Sequence, residues 1–270
     1  MLMNKCLFSA CSFFTLFLFL TLPAKAQIIT PDTIIRSNTN SSLPTERKTV
    51  LFDSLSYRFI GDGSFTRGNI NRTLVVLRTE LTVSGPIFTL STNPRFTYGK
   101  QNYLLAERDT YVDLFLDVLK ENRIYGFGLA TIETSNLRGI NLRKLAGAGI
   151  GLRLYQTPQN TLTLTSAVIH EATDFRERPT LTTQRNSTRL KGKHSLLQDK
   201  IRLTHITFVQ PALNDFSNVR WNTLISLELP LTRWVTIRSS YENNFESIVE
   251  AGRKRHDSRL TFGLAFGNRP

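Results

Sequence analysis

Ser166, His170 and Asp174 are residue types that could serve as nucleophile, base and orienting acid, and they stand four positions apart. A nucleophile must lie within about 3 Å of its base. Four residues of extended strand span about 13 Å, so local spacing cannot make them a triad. Gly147, Gly149 and Gly151 suggest a phosphate cradle, but that cradle is a turn between a strand and a helix. Here the glycines alternate within one strand-like segment, on the side shared with Arg143 and Arg153. There they leave room for bulky neighbours or permit a bend. His170, His194, His205 and His256 lack the paired spacing of metal ligands. Both cysteines, Cys6 and Cys11, fall in the N-terminal apolar segment, so the mature chain is expected to hold neither a disulfide nor a thiolate site. The sequence therefore offers no catalytic, cofactor or metal residues, and a non-enzymatic protein without cofactor is expected.

A larger charged set alternates with apolar residues. It comprises Arg72, Arg78, Glu80, Asp113, Asp117, Arg143, Arg153, Glu171, Arg220, Glu228, Arg238, Glu242 and Arg259. Arginines and carboxylates nearly balance in it, as mutual pairing requires, because an unpaired charge persists only where water reaches it. A dedicated ion filter would show rings of one sign. The expectation is a lumen crossed by arginine–carboxylate bridges, largely occluded, with small conductance and weak ion selectivity. Two basic runs, Arg253-Lys254-Arg255-His256 and Arg185 through His194, are placed on outer loops, where they could dock anionic lipid or lipopolysaccharide.

The elements that carry these residues repeat. Strands are expected near 53–66, 71–84, 87–99, 107–119, 123–134, 142–155, 160–173, 184–197, 200–210, 217–229, 233–246 and 256–267. Side chains alternate across a strand with period two. Near 107–119, Val112, Leu114, Leu116 and Val118 oppose Tyr111, Asp113 and Asp117. Near 256–267, Leu260, Phe262, Leu264 and Phe266 oppose Arg259, Thr261 and Gly263. Twelve residues at about 3.3 Å each, tilted about 45°, cross roughly 28 Å, close to a hydrocarbon core. Strands of a soluble sandwich are about half as long.

The connections also alternate. Ser84-Gly85-Pro86, Lys120-Glu121-Asn122, Gln156-Thr157-Pro158-Gln159 and Pro230-Leu231-Thr232 read as tight turns. Longer polar stretches are expected at 99–106, 135–140, 175–183 and 247–255, as in barrels with short inner turns and long outer loops. Tyr98, Tyr103, Tyr125, Tyr155, Trp234 and Tyr241 are assigned to aromatic girdles. The fold class is thus all-β, an antiparallel transmembrane barrel of about twelve strands following a cleaved signal peptide.

Lys5, the apolar run Leu7 to Leu22 and the site Ala24-Lys25-Ala26 form that signal peptide, residues 1–26. A polar leader fills 27–50, and the barrel domain 51–270. The full chain carries a formal net charge of +13. Lys5 and Lys25 leave with the signal peptide, so 32 basic residues face 21 acidic ones. An exported protein of this charge meets outer-membrane lipid and lipopolysaccharide, not nucleic acid, and the barrel assembly machinery is the expected insertion partner. No apolar run after residue 26 is long enough for a membrane helix. A soluble periplasmic β-barrel binding an apolar ligand, and a barrel-embedded hydrolase, stay open as alternatives.

Several segments resemble the bacterial DUF481 family, salt-induced outer-membrane proteins of uncharacterised function. They are Gly68-Asn69; Asn141-Leu142-Arg143-Lys144-Leu145-Ala146-Gly147-Ala148-Gly149-Ile150-Gly151-Leu152-Arg153-Leu154; Pro211-Ala212-Leu213-Asn214-Asp215-Phe216; and Asp257-Ser258-Arg259-Leu260-Thr261-Phe262-Gly263-Leu264. The resemblance spans roughly 52–267. It implies a membrane barrel and carries over no catalytic residue. Barrels of this sort commonly end on an aromatic residue, whereas here Gly267-Asn268-Arg269-Pro270 follows Phe266.

Overall fold

A computed structural model describes residues 53–268. The expected signal peptide and polar leader lie outside the described residues. Thirteen strand segments form the described chain: β1 Ser54–Thr66, β2 Arg72–Ser84, β3 Phe88–Thr92, β4 Arg95–Gln101, β5 Leu104–Val118, β6 Ile124–Ser135, β7 Ile140–Gln156, β8 Asn160–Phe175, β9 Leu181–Leu196, β10 Ile201–Pro211, β11 Val219–Pro230, β12 Val235–Glu246 and β13 His256–Gly267. Strands adjacent in the chain pair antiparallel, except that β3 and β4 each pair with β2 and β5 and not with each other, and β1 pairs with both β2 and β13, closing the sheet.

β3 and β4 are two halves of one stave. Both lie between β2 and β5, and the register continues across the gap from Leu81↔Thr92 to Arg78↔Arg95. The ladder breaks because Pro94 has no N–H to give and the Asn93 N–H turns to the Asp113 carboxylate. The barrel therefore has twelve staves, the number the alternation predicts.

The expected contrast in connection length is weaker than the polarity implies. The stretch at 99–106 contains only a two-residue turn, Asn102-Tyr103, with φ of 48° and 68°. That geometry matches the right-handed twist of paired strands, so β4 and β5 run on to its edges. The 135–140 stretch shrinks to 136–139, and 175–183 shrinks to 176–180. Only 212–218 and 247–255 are long. Above the bilayer both faces of a hairpin can be wet, so polar residues there extend strands as readily as they make loops. Arg185 to His194, expected both within the strand near 184–197 and on an outer loop, belongs to β9.

The polarity of the faces settles the architecture. Leu77, Leu114, Ile132, Val168, Leu227 and Phe262 are exposed, while Asp113, Arg143, Glu171, Arg238 and Glu242 are buried. A soluble sandwich would bury the first group between its sheets. Here the exterior is apolar and the interior charged, as a transmembrane barrel requires.

One apolar cluster does lie inside. Tyr125, Phe127, Leu145, Ala167 and Ile169 pack together, with Leu129 against them. Tyr125, assigned by sequence to an aromatic girdle, thus faces the lumen, and its ring covers Gly151. A Cβ at Gly149 would overlap the Ser166 carbonyl and Ala167 on β8. Overpacking of this kind costs about 1–3 kcal/mol or more. Gly149→Val is expected to abolish the compact, heat-modifiable form on gels. Gly128→Ala, whose added Cβ meets nothing closer than 3.9 Å, should keep it.

Candidate functional site

The site is the lumen, and its rim at the 136–139 and 176–180 connections is the most densely bonded part. At its centre stands Glu171 of β8, 1% exposed. It meets Arg220 of β11 at 2.8 Å, Arg185 of β9 at 3.0 Å and Arg143 of β7 at 3.5 Å. Arg143 also bridges Glu246 at 2.9 Å and Glu133 at 3.1 Å. Arg138, from the 136–139 connection, pairs with the same two carboxylates. Isolated buried charges cost several kcal/mol each, and only a partner set of this completeness offsets that cost. Burial alone would depress the Arg138 pKa, but Glu133 and Glu246 outweigh it and raise it. The guanidinium is therefore permanently charged.

Some of these bonds cross the barrel. Five staves separate β6 from β12 in either direction round the ring, so Glu246 and the wall at β6 and β7 are opposite one another. The 247–255 connection follows Glu246 across the mouth. The Glu250 carboxylate, 3% exposed, accepts the Glu177 N–H at 2.7 Å and lies where any side chain at Gly139 would sit. Arg178 donates to the Val249 carbonyl at 2.8 Å. The connection is thus a strap docked on the far wall.

Further pairs line the lumen, from the strap-side rim downward. Glu107 accepts from Arg72 and Arg259, both at 2.6 Å. Glu242 meets Arg95 at 2.9 Å and Arg78 at 3.5 Å. Arg58 joins Glu228 at 2.8 Å and Glu80 at 3.1 Å. A cavity of about 940 Å³ runs through this region, with Asp117, Lys120, Arg189, Lys191 and Lys193 along its wall.

Of the thirteen charges grouped from sequence, nine stand in arginine–carboxylate contacts and four have other partners. Asp113 is held by the Asn93 backbone and amide, not by an arginine. Asp117 pairs with Lys120 at 2.7 Å. Arg238 donates to the Ser226 hydroxyl at 2.8 Å. Arg153 donates to the backbone carbonyls of Lys120 and Glu121 in the neighbouring turn. A register shift between Arg153 and Tyr155 marks this place in β7.

Sequence reasoning missed Arg58, Arg95, Glu107, Glu133, Arg138, Arg185 and Glu246. Parity along each strand would have placed Glu133 with Thr131 and Arg95 with Thr97. Arg138 sits in a connection, where parity says nothing. Ser166, His170 and Asp174 stay strung along the outward face of β8, with His170 and Asp174 exposed. His194 and His205 stack at 5.3 Å between centroids, with ring nitrogens 3.2 Å apart. They share the parity of the side chains that face away from the lumen.

Twelve antiparallel staves with a lipid-facing exterior and a charge-paired interior define a transmembrane β-barrel. The family model for DUF481, a protein of unknown function, matches residues 63–267. The chain belongs to that family. No curated protein matches it. Among solved structures it is similar to the NanC porin, at 11% identity over 79% of this chain and 99% of that one, with a TM-score of 0.48. It is also similar to the translocator domain of the autotransporter NalP from Neisseria meningitidis, at 15% identity over 80% and 87%, TM-score 0.41. The KdgM porin in complex with disordered oligogalacturonate is a third, at 10% identity over 78% and 97%, TM-score 0.42.

Proposed function

We propose that this protein is a narrow, normally occluded pore of the outer membrane and not an enzyme. The observation that carries this reading is the union of two features in one lumen. A lattice of buried arginine–carboxylate pairs and a docked strap fill one mouth, and a cavity lies beneath them. Charges neutralised in pairs at the constriction leave no ring of one sign, so the reading expects small conductance and weak ion selectivity. Basic residues 253–255 on the strap suit the phosphates of outer-leaflet lipid or lipopolysaccharide. Export by the 1–26 segment and insertion by the barrel assembly machinery complete the proposal. A barrel cross-linked this heavily also suits a structural role in the envelope.

Two measurements test it. In cell fractionation the mature protein should follow outer-membrane markers, and recovery in the osmotic-shock fluid would end the membrane reading. In planar bilayers the wild-type barrel should show small, weakly selective steps. Glu246→Ala removes the carboxylate that joins Arg138 and Arg143 across the mouth, and its open steps should be clearly larger. Large, stable, strongly anion-selective steps from the wild type would show the arginines to be a filter.

A further inference from the structure

Below the lattice the lumen has a wall of different character. Arg189, Lys191 and Lys193 lie at alternate positions of β9 and line the cavity. Alternate residues of a strand are about 6.6 Å apart, so the three charges form a ladder about 13 Å long. Among the described residues, none of the three has a carboxylate within 4.0 Å. The acids near this level are engaged elsewhere: Asp117 by Lys120, Glu80 and Glu228 by Arg58, and Asp113 by Asn93.

The ladder is also organised. The Arg189 guanidinium lies over the Phe115 ring at 5.0 Å and near the Phe127 ring at 6.0 Å. A guanidinium held by its face keeps its N–H edges for a planar oxyanion. Lys191 stands between two cationic neighbours on its own strand face, with the Asp117-paired Lys120 and the Arg58-paired Glu80 farther off. Like charges crowded in a lumen repel. An anion bridging them relieves that repulsion, and two or three charges on one solute do so with one loss of translational freedom.

We propose that the β9 ladder is a binding site for multivalent oxyanions, solutes carrying two or more phosphate or carboxylate charges, entering from the rim opposite the strap. The site rests on the reading of the lumen as a solute path, and it names the solutes which that path would favour. A ladder inside the barrel excludes lipid headgroups as its ligand, because β9 turns these residues away from the bilayer.

The test is calorimetric titration of the folded, detergent-solubilised barrel with pyrophosphate and with citrate at fixed ionic strength, acetate serving as the monovalent control. Saturable binding of pyrophosphate or citrate, with none of acetate, is expected. A phosphate-only or carboxylate-only result supports the site and assigns its preferred chemistry. Lys191→Gln with Lys193→Gln should weaken binding about tenfold or more, which is about 1.4 kcal/mol, while Lys191→Arg with Lys193→Arg should keep it. Heat-modifiable migration on gels verifies folding. If the double glutamine variant does not fold, Lys193→Gln alone, at an exposed position, should still weaken binding severalfold. No binding of either polyanion by the folded wild type, or equal binding by the glutamine variants, overturns the site. Calorimetry does not depend on conduction. A barrel that binds polyanions but passes no current would retain the site and lose the pore, and the reverse result would separate them the other way.

Discussion

Glu171→Ala is expected to destabilise the barrel more than any other single change within the lumen. Glu171 faces three guanidinium groups, those of Arg143, Arg185 and Arg220. Removing one partner from a buried ionic cluster costs about 3–5 kcal/mol, because the opposite charge stays behind in a dry place. The three arginines are not equally harmed. Arg143 retains Glu133 and Glu246, and Arg185 retains the carbonyls of Gln210 and Asn218. Arg220 loses its one carboxylate within 4.0 Å and keeps the Gln210 side chain and the more distant charge of Glu246, so it bears most of the loss. Glu171→Gln should be milder, since its amide oxygen still accepts one of the N–H groups. Urea titration of the folded barrel in detergent reads the difference. A loss below about 1 kcal/mol for the alanine variant would mean that water already fills the lattice.

Leu114→Arg and Leu227→Arg are expected to block stable assembly for a different reason. Both leucines sit on the exposed exterior, in stretches where each paired strand continues on either side. Arginine near the middle of a barrel's lipid face costs roughly 2–4 kcal/mol. Asp113→Asn changes the adjacent position on the other face, and asparagine still offers an oxygen to the Asn93 N–H. It should therefore be tolerated. The readouts are yield in the outer-membrane fraction and heat-modifiable migration. Equal tolerance of all three substitutions would show the faces to be assigned the wrong way round.

What the sequence revealed follows from where lipid imposes a rule. Inside the bilayer each strand must put apolar residues on one face, so alternation placed twelve staves. It gave β13 the bounds 256–267 that the structure has. Beyond the bilayer that rule lapses. The 99–106 stretch, polar only over Lys100-Gln101-Asn102, is two strand ends and a tight turn. Arg185 fell in both an expected strand and an expected basic loop because its neighbours are polar, and it anchors β9 to β8 through Glu171. Nine of the paired charges stand among the thirteen that alternation groups. Their partners were not legible, because a bond between opposite walls depends on barrel diameter and on the path of a connection. Glu246 and Arg138 show this, since no local pattern joins residues 108 positions apart.

The strap has a consequence for the order of events in assembly. It lies in the last hairpin, between β12 and β13, and β13 makes the closing contact with β1. Every earlier pair of strands can form while this mouth is still uncovered. Until then the arginines of β7, β9 and β11 stand in water and lose nothing by being charged. The step that zips the seam also brings Glu246 and Glu250 over the opening, so dehydration of the lattice and completion of its pairing arrive together. The hairpin therefore acts as a cork set by the ring's own closure, since Glu246 meets Arg138 and Arg143 only when the opposite walls face each other.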